Sequence, residues 1–203
     1  MAKQHGAWHL ADNPQLYEPA RSNNFEFVAT GIGDLLKSGL DDAVEHGSND
    51  YITNAQETIR VSVVSSSVPH YSVGQIEVKR GNDTIKFAGT PRFNDLPLVV
   101  NDYMGARTKD AIMAWQALAY NVRNGHVNRA TNYKKECRLI EFTPDYKEIL
   151  REWVIEGAWV SEVQEGAFSN EEEGKRTVTA TIVFDRAYLL DSSEYTNLED
   201  EGA

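Results

Sequence analysis

Cysteine is almost missing from this chain. Cys137 is the one cysteine in 203 residues, so no internal disulfide can form. It sits in Glu136-Cys-Arg-Leu-Ile-Glu-Phe142, whose alternation is that of a strand, and reads as a small buried hydrophobe; a reactive thiol needs a basic or helix-terminal setting. Long apolar runs are missing too. No stretch approaches the roughly 18 apolar residues that cross a bilayer. The opening Met1-Ala2-Lys3-Gln4-His5-Gly6 lacks the apolar core of a signal peptide. The sequence therefore predicts a protein without membrane anchoring that stays in the cytoplasm where it is made. Bases are scarce as well: 20 Lys and Arg stand against 31 Asp and Glu, a formal net charge of −11. A grip on nucleic acid comes from cations that neutralise phosphates, so DNA near this chain is expected to be repelled rather than held.

Catalytic and cofactor signatures are also lacking. Gly31-Ile-Gly33 follows a strand, but Leu36 stands where a dinucleotide fingerprint needs its third glycine, and no βαβ repeat surrounds it. There is no phosphate-loop lysine and no nucleophile elbow. Glu171-Glu-Glu173 reads as a solvated turn. His5 and His9 lie four apart without a third ligand, and His46, His70 and His126 are isolated near loop signals, so no metal is expected. The expectation is a protein with no cofactor and no enzymatic activity.

What is present is strand pattern. Hydrophobic residues make up 41% and charged residues 25%, which places the chain among ordinary globular domains, and its length suits one domain. Residues 1–22 carry Pro14 and Pro19 without a sustained period and read as an extended arm whose Trp8 and Tyr17 need a covering surface. Phe25 to Ile32 reads as a strand ended by Gly31 and Gly33. Residues 34–56 read as a long loop with one helical turn. Ile59, Val61 and Val63 alternate with polar neighbours as a strand would. Ile76 and Val78 lead through Arg80-Gly-Asn-Asp-Thr84, a hairpin turn, into Ile85-Lys-Phe87. Leu96 to Val100 closes this group.

One helix is expected at about 105–123, because Ala111, Ile112, Trp115, Leu118, Ala119 and Val122 recur at three and four, with Asn124-Gly125 as its stop. Trp115 is its core anchor. Strands follow at 135–142, 150–160 and 175–185. In the second, Trp153, Ile155 and Trp159 are expected on one face and Glu152, Val154, Glu156 and Ala158 on the other. In the third, Val178, Ala180, Ile182 and Phe184 oppose Thr177, Thr179, Thr181 and Val183. Residues 191–203 hold five acids and no base, an acidic tail.

The order strand, loop, ribbon, single helix and two long strands resembles the tail tube proteins of contractile-tailed phages. The residues that carry the likeness are Asn23-Asn-Phe-Glu-Phe-Val28, Asp95-Leu-Pro-Leu-Val-Val-Asn-Asp102, the helix with Trp115, Tyr133-Lys-Lys, and Cys137 to Phe142. With them go Leu150-Arg-Glu-Trp-Val-Ile-Glu-Gly-Ala-Trp159 and Thr177-Val-Thr-Ala-Thr-Ile-Val-Phe-Asp185. They span about residues 23–190. The resemblance implies a mainly β (α+β) tail-tube-like fold, an antiparallel β-barrel or sandwich flanked by one α-helix, with no active site. It implies hexameric rings stacked into a tube in the virion, assembled in the host bacterial cytoplasm. The implied partners are further copies of the chain, a sheath protein, a tape-measure protein and baseplate or terminator proteins, with DNA passing through unbound. Type VI secretion tubes share this fold, so an inner tube of such an injection machine is the alternative, with a monomeric β-rich binding module as a further one. If the two long strands line the inner barrel, Glu152, Glu156, Thr177, Thr179 and Thr181 are expected to face the lumen, joined by Glu77 from the ribbon.

Overall fold

Residues 18–40, 52, 54–166 and 174–194 are described by a computed structural model of the chain. Trp8, Tyr17, His5, His9, His46, Glu171-Glu-Glu173 and most of the arm and acidic tail lie outside them. The described part is mainly β, with strands in about half of the described residues and an antiparallel principal sheet.

Period-two alternation shapes this sheet. Its strands are β1 (Phe25–Ala29), β2 (Val63–Ser66), β5 (Leu96–Asn101), β8 (Lys135–Phe142), β9 (Ile149–Glu165), β10 (Thr177–Val183) and β11 (Arg186–Leu189). Their order is β1-β8-β9-β10-β5-β2, with β11 continuing the line of β10 along β9. Leu96, Leu98 and Val100 of β5 and Val178, Ala180 and Ile182 of β10 all point to one core, which Phe27, Cys137, Leu139, Ile155, Ala158 and Val160 complete. Cys137 is fully buried, and desolvation raises its thiol pKa far above the ordinary value, so it is the inert small hydrophobe its strand pattern implied.

Among the described residues three helices cover that core, where the sequence pattern pointed to one. The expected loop 34–56 overlaps α1 (Ile32–Leu40), and the expected strand around Ile59 is α2 (Ala55–Ser62). Ile59, Val61 and Val63 satisfy a strand period, but Ile52, Ala55, Ile59 and Ser62 satisfy a helical one, and burial sides with the second: these four are buried while Val61 is exposed. Gly31, at φ 65°, ends β1 and starts α1, and its amide donates to Gln56 Oε1 at 2.9 Å. The expected helix 105–123 is α3 (Thr108–Ala119). It stops early because Tyr120–Asn121 (β6) pairs with His126–Val127 (β7), and Val122, outside the helix, is 83% exposed. Gly125, read as the helix stop, instead turns this small hairpin at φ 68°. Trp115 is the expected anchor: it is buried and its indole N–H donates to the Tyr133 carbonyl at 2.9 Å.

Candidate functional site

Among the described residues no group of three or more His, Cys, Asp or Glu is arranged to hold a metal. The surfaces with chemistry to offer are the outer face of the sheet and a projecting ribbon.

The outer face is organised by two bulges in β9. Lys135 pairs with Ala158 while Cys137 pairs with Ile155, so one extra β9 residue is accommodated at Gly157, whose φ is 68°. Thr181 pairs with Glu162 while Ile182 pairs with Val160, which places a second extra residue at Ser161. Each bulge moves the following residues to the opposite face. Ala158 therefore enters the core, and Trp159, expected beside Trp153 and Ile155, lies on the outer face opposite Val183, edge-on to Tyr133 at 5.6 Å. This corrects the simple alternation expected for the strand. Gly157 was the signal, because a glycine inside a strand pattern marks a bulge.

Beyond the second bulge the outer face is small and polar. Thr177, Thr179 and Thr181 form a half-buried row along β10 as expected, facing Asn101, Val99 and Pro97 across β5 and Gln164 and Glu162 across β9. Glu162 and Gln164 were missed from sequence because the bulges hide their parity. Glu156 lies on the same outer face before the first bulge, 3.3 Å from Arg186 and accepting the Tyr188 hydroxyl at 3.3 Å. Partial desolvation, followed by that carboxylate, raises the Tyr188 pKa.

Two further expected acids, Glu152 and Glu77, are each paired with a cation. Glu152 presents no free carboxylate in the subunit: it is fully buried, bound by Arg138 Nη1 at 2.8 Å among Val28, Ile140 and Val154. Strand alternation gave its face correctly but not the cover that Arg138 supplies. Glu77 is on the ribbon, where its strand pattern placed it, and its cross-strand partner Lys86 approaches to 3.4 Å. The expected six residues thus divide among the threonine row, the Glu156–Arg186 pair, the buried Glu152 and the ribbon.

At the far end of the sheet, charges tie the layers together. Glu165 accepts Lys109 Nζ at 2.8 Å and pairs with Arg176, which also approaches Asp102 at 3.7 Å. The Lys109 contact, more than any other, holds the Glu165 carboxyl below its ordinary pKa.

The ribbon is β3 (Tyr71–Arg80) and β4 (Asp83–Phe93), joined at Gly81, φ 62°. At its base Tyr71 packs tilted against Phe93, and Phe93 against Phe184, which roots it in the core. Val73 pairs with Pro91 but Gln75 with Ala88, so a bulge at Gly89-Thr90 interrupts it. Past the bulge the apolar pairs are Ile76–Phe87 and Val78–Ile85, on the ribbon face opposite the Tyr71–Phe93 base, and all four are exposed. Gly89 sits tightly here: a Cβ would come 3.0 Å from the Gly74 carbonyl oxygen, so the facing strand would have to give by a few tenths of an ångström.

No protein-family model matches the sequence, and no curated protein matches it. Solved structures do match. The chain superposes on a chain of the sheath–tube complex of an extracellular contractile injection system, PVC, in the extended state, with a TM-score of 0.58 at 13% identity, covering 92% of this chain and 99% of that one. This is a tail tube fold. The sheath/tube terminator of the same system gives 0.59 at 14% identity over 87% and 99% of the two chains. The cap that terminates the tube of the anti-feeding prophage gives 0.57 at 14% over 94% of each. In this tube fold the threonine row is on the exposed side of the principal sheet and the ribbon projects from its edge. Among the described residues no helix is long and apolar enough to cross a membrane.

Proposed function

We propose that this chain is the structural, non-enzymatic subunit of a tail tube, closing into hexameric rings that stack as a hollow conduit. The observation that carries the reading is the ribbon. A two-stranded hairpin is marginal alone, yet this one projects with Ile76, Val78, Ile85 and Phe87 in solvent, an apolar face that another copy of the chain would cover. Its charge agrees: residues 71–93 hold four bases and two acids, net +2, so the rest of the chain carries −13 of the total −11. A basic ribbon on an acidic body favours contact between copies. The tail-tube likeness supports the same assembly, with sheath, tape-measure and baseplate or terminator proteins as partners in a phage tail.

The lumen is lined, in this reading, by the outer face of β10 and its neighbours: Thr177, Thr179 and Thr181 with Glu162, and Glu156 further along. Hydroxyls and carboxylates offer passing DNA no cation, so the genome slides without binding. The inner tube of an injection system is the second reading, favoured by the injection-system structures the chain superposes on.

Sedimentation and negative-stain imaging test the assembly. The wild type is expected to form rings or tubes with rising concentration, and Ile76→Ser with Phe87→Ser to remain a folded monomer. A wild type that stays monomeric at high concentration, or a variant that assembles equally well, overturns it. Thr179→Lys with Thr181→Lys should leave assembly intact but slow DNA passage at low salt, because each cation gives a phosphate a foothold. DNA passage at an unchanged rate overturns the lumen assignment.

A further inference from the structure

The outward side of α3 and the small hairpin that follows it form an apolar, basic face. Met113 and Ala117 lie one helical turn apart, with Tyr120 three residues on, and all three are exposed, while Ala111, Ile112, Trp115 and Leu118 take the buried side. Tyr120 pairs with Val127 across β6 and β7, so Val127, 68% exposed, continues the same surface, and Val122 stands at the turn between them.

The hairpin is held firmly, although each of its strands is two residues long. Asn128 donates from its backbone to the Ala119 carbonyl at 3.2 Å and from Nδ2 to the Leu118 carbonyl at 2.7 Å, which ties it to the end of α3. Asn121 Oδ1 accepts the Arg123 amide and Asn124 Oδ1 the His126 amide, both at 3.0 Å. Side chains thus fix the turn, and the turn holds Val122 and Arg123 out in solvent. A rigid apolar loop loses little freedom when it is covered, as an interface anchor requires.

Charge selects what covers it. Residues 111–135 hold Arg123, Arg129, Lys134 and Lys135 and no acid, so the rest of this chain, at −11 overall, carries −15. Lys134 is paired with Asp185, but Arg123 and Arg129 are exposed, and neither has an ion-pair partner among the described residues. A few arginines around a centre of Tyr, Val and Met match the apolar core and polar rim of a protein contact better than the long row of cations that a nucleic acid backbone takes. We propose that this face of α3 and the β6–β7 hairpin seats the acidic body of a second copy, with Tyr120, Val122 and Val127 as the covered anchors and Arg123 and Arg129 paired to carboxylates of that copy. The proposal rests on the tube reading, in which copies of the chain meet, and gives them a second contact besides the ribbon.

A Val122→Cys variant of the full chain tests it, since the native Cys137 is fully buried and does not compete for a thiol reagent. Sedimentation gives the concentration at which rings or tubes appear. The introduced thiol should react at least about tenfold more slowly above that concentration than below it. Equal reactivity in assembled particles overturns this contact and leaves the tube reading standing; absence of any assembly overturns both. Arg123→Glu with Arg129→Glu gives a readout without the added cysteine. The reversed charges should raise the concentration of half-assembly by about tenfold or more at low salt, and by less at high salt, with the urea midpoint unchanged because both side chains are exposed. Assembly at the wild-type concentration overturns the proposal, and so does a shift that salt does not reduce.

Discussion

Gly157→Ala is the substitution whose effect the structure specifies most fully. Residue 157 sits at φ 68°, where an L side chain costs about 1–2 kcal/mol. Its Cβ would also lie 2.1 Å from Asp185 Oδ2 and 2.7 Å from Asp185 Cγ, so the aspartate must move. Both Asp185 oxygens accept Lys134 Nζ at 2.7 Å, and displacement breaks that pair. The pair is partly exposed, so its loss contributes only some tenths of a kcal/mol. Shifting Asp185 further strains the β10–β11 junction, where its amide donates to the Glu156 carbonyl at 3.0 Å. Together these amount to about 2–3 kcal/mol. In an Asp185→Ala background the carboxyl is gone and only the left-handed backbone term remains, about 1–2 kcal/mol. Urea denaturation of the wild type, both single variants and the double variant gives the cycle, with an expected coupling near 1 kcal/mol. The same cost in both backgrounds, or a cost below about 0.5 kcal/mol in the wild type, would refute the clash and the bulge geometry on which the outer-face assignment rests.

Trp115→Ala should cost about 3–5 kcal/mol in the same assay, because it empties the centre of the helix-to-sheet contact and orphans the Tyr133 carbonyl. Replacing Glu152 by Lys sets a cation against Arg138 in a fully buried position, and should destabilise by about 3 kcal/mol or more, whereas Glu156→Lys on the solvated part of that face should cost under about 1 kcal/mol; equal effects would show that Glu152 is not buried. The depressed Glu165 pKa makes its contribution complete above the ordinary carboxylate value of 4.5 and lost as pH falls through the lower folded value, so the fall in urea midpoint across that acid range should be shallower in Lys109→Met than in the wild type.

Composition and alternation were enough to determine the mainly β class, the ribbon turn at Gly81, the helix built on Trp115, the buried cysteine, and the two faces of β10. Each of these depends on neighbours within a few residues, and β10 carries no extra residue to shift its parity. The helix at Ala55 was not legible, because Ile59, Val61 and Val63 satisfy a strand period while Ala55, Ile59 and Ser62 satisfy a helical one, and only packing of Ile59 and Ala55 in the core selects the second. The far half of β9 was not legible either. Gly157 and Ser161 each insert a residue that alternation cannot register, and it is pairing with β8 and β10, strands distant in sequence, that puts Ala158 in the core and turns Trp159, Glu162 and Gln164 outward. Tertiary structure alone covered Glu152 with Arg138, a residue on the adjacent strand. It also put β1 and β2 at the two ends of the strand order, since that order is set by contacts far apart in the chain rather than by local period.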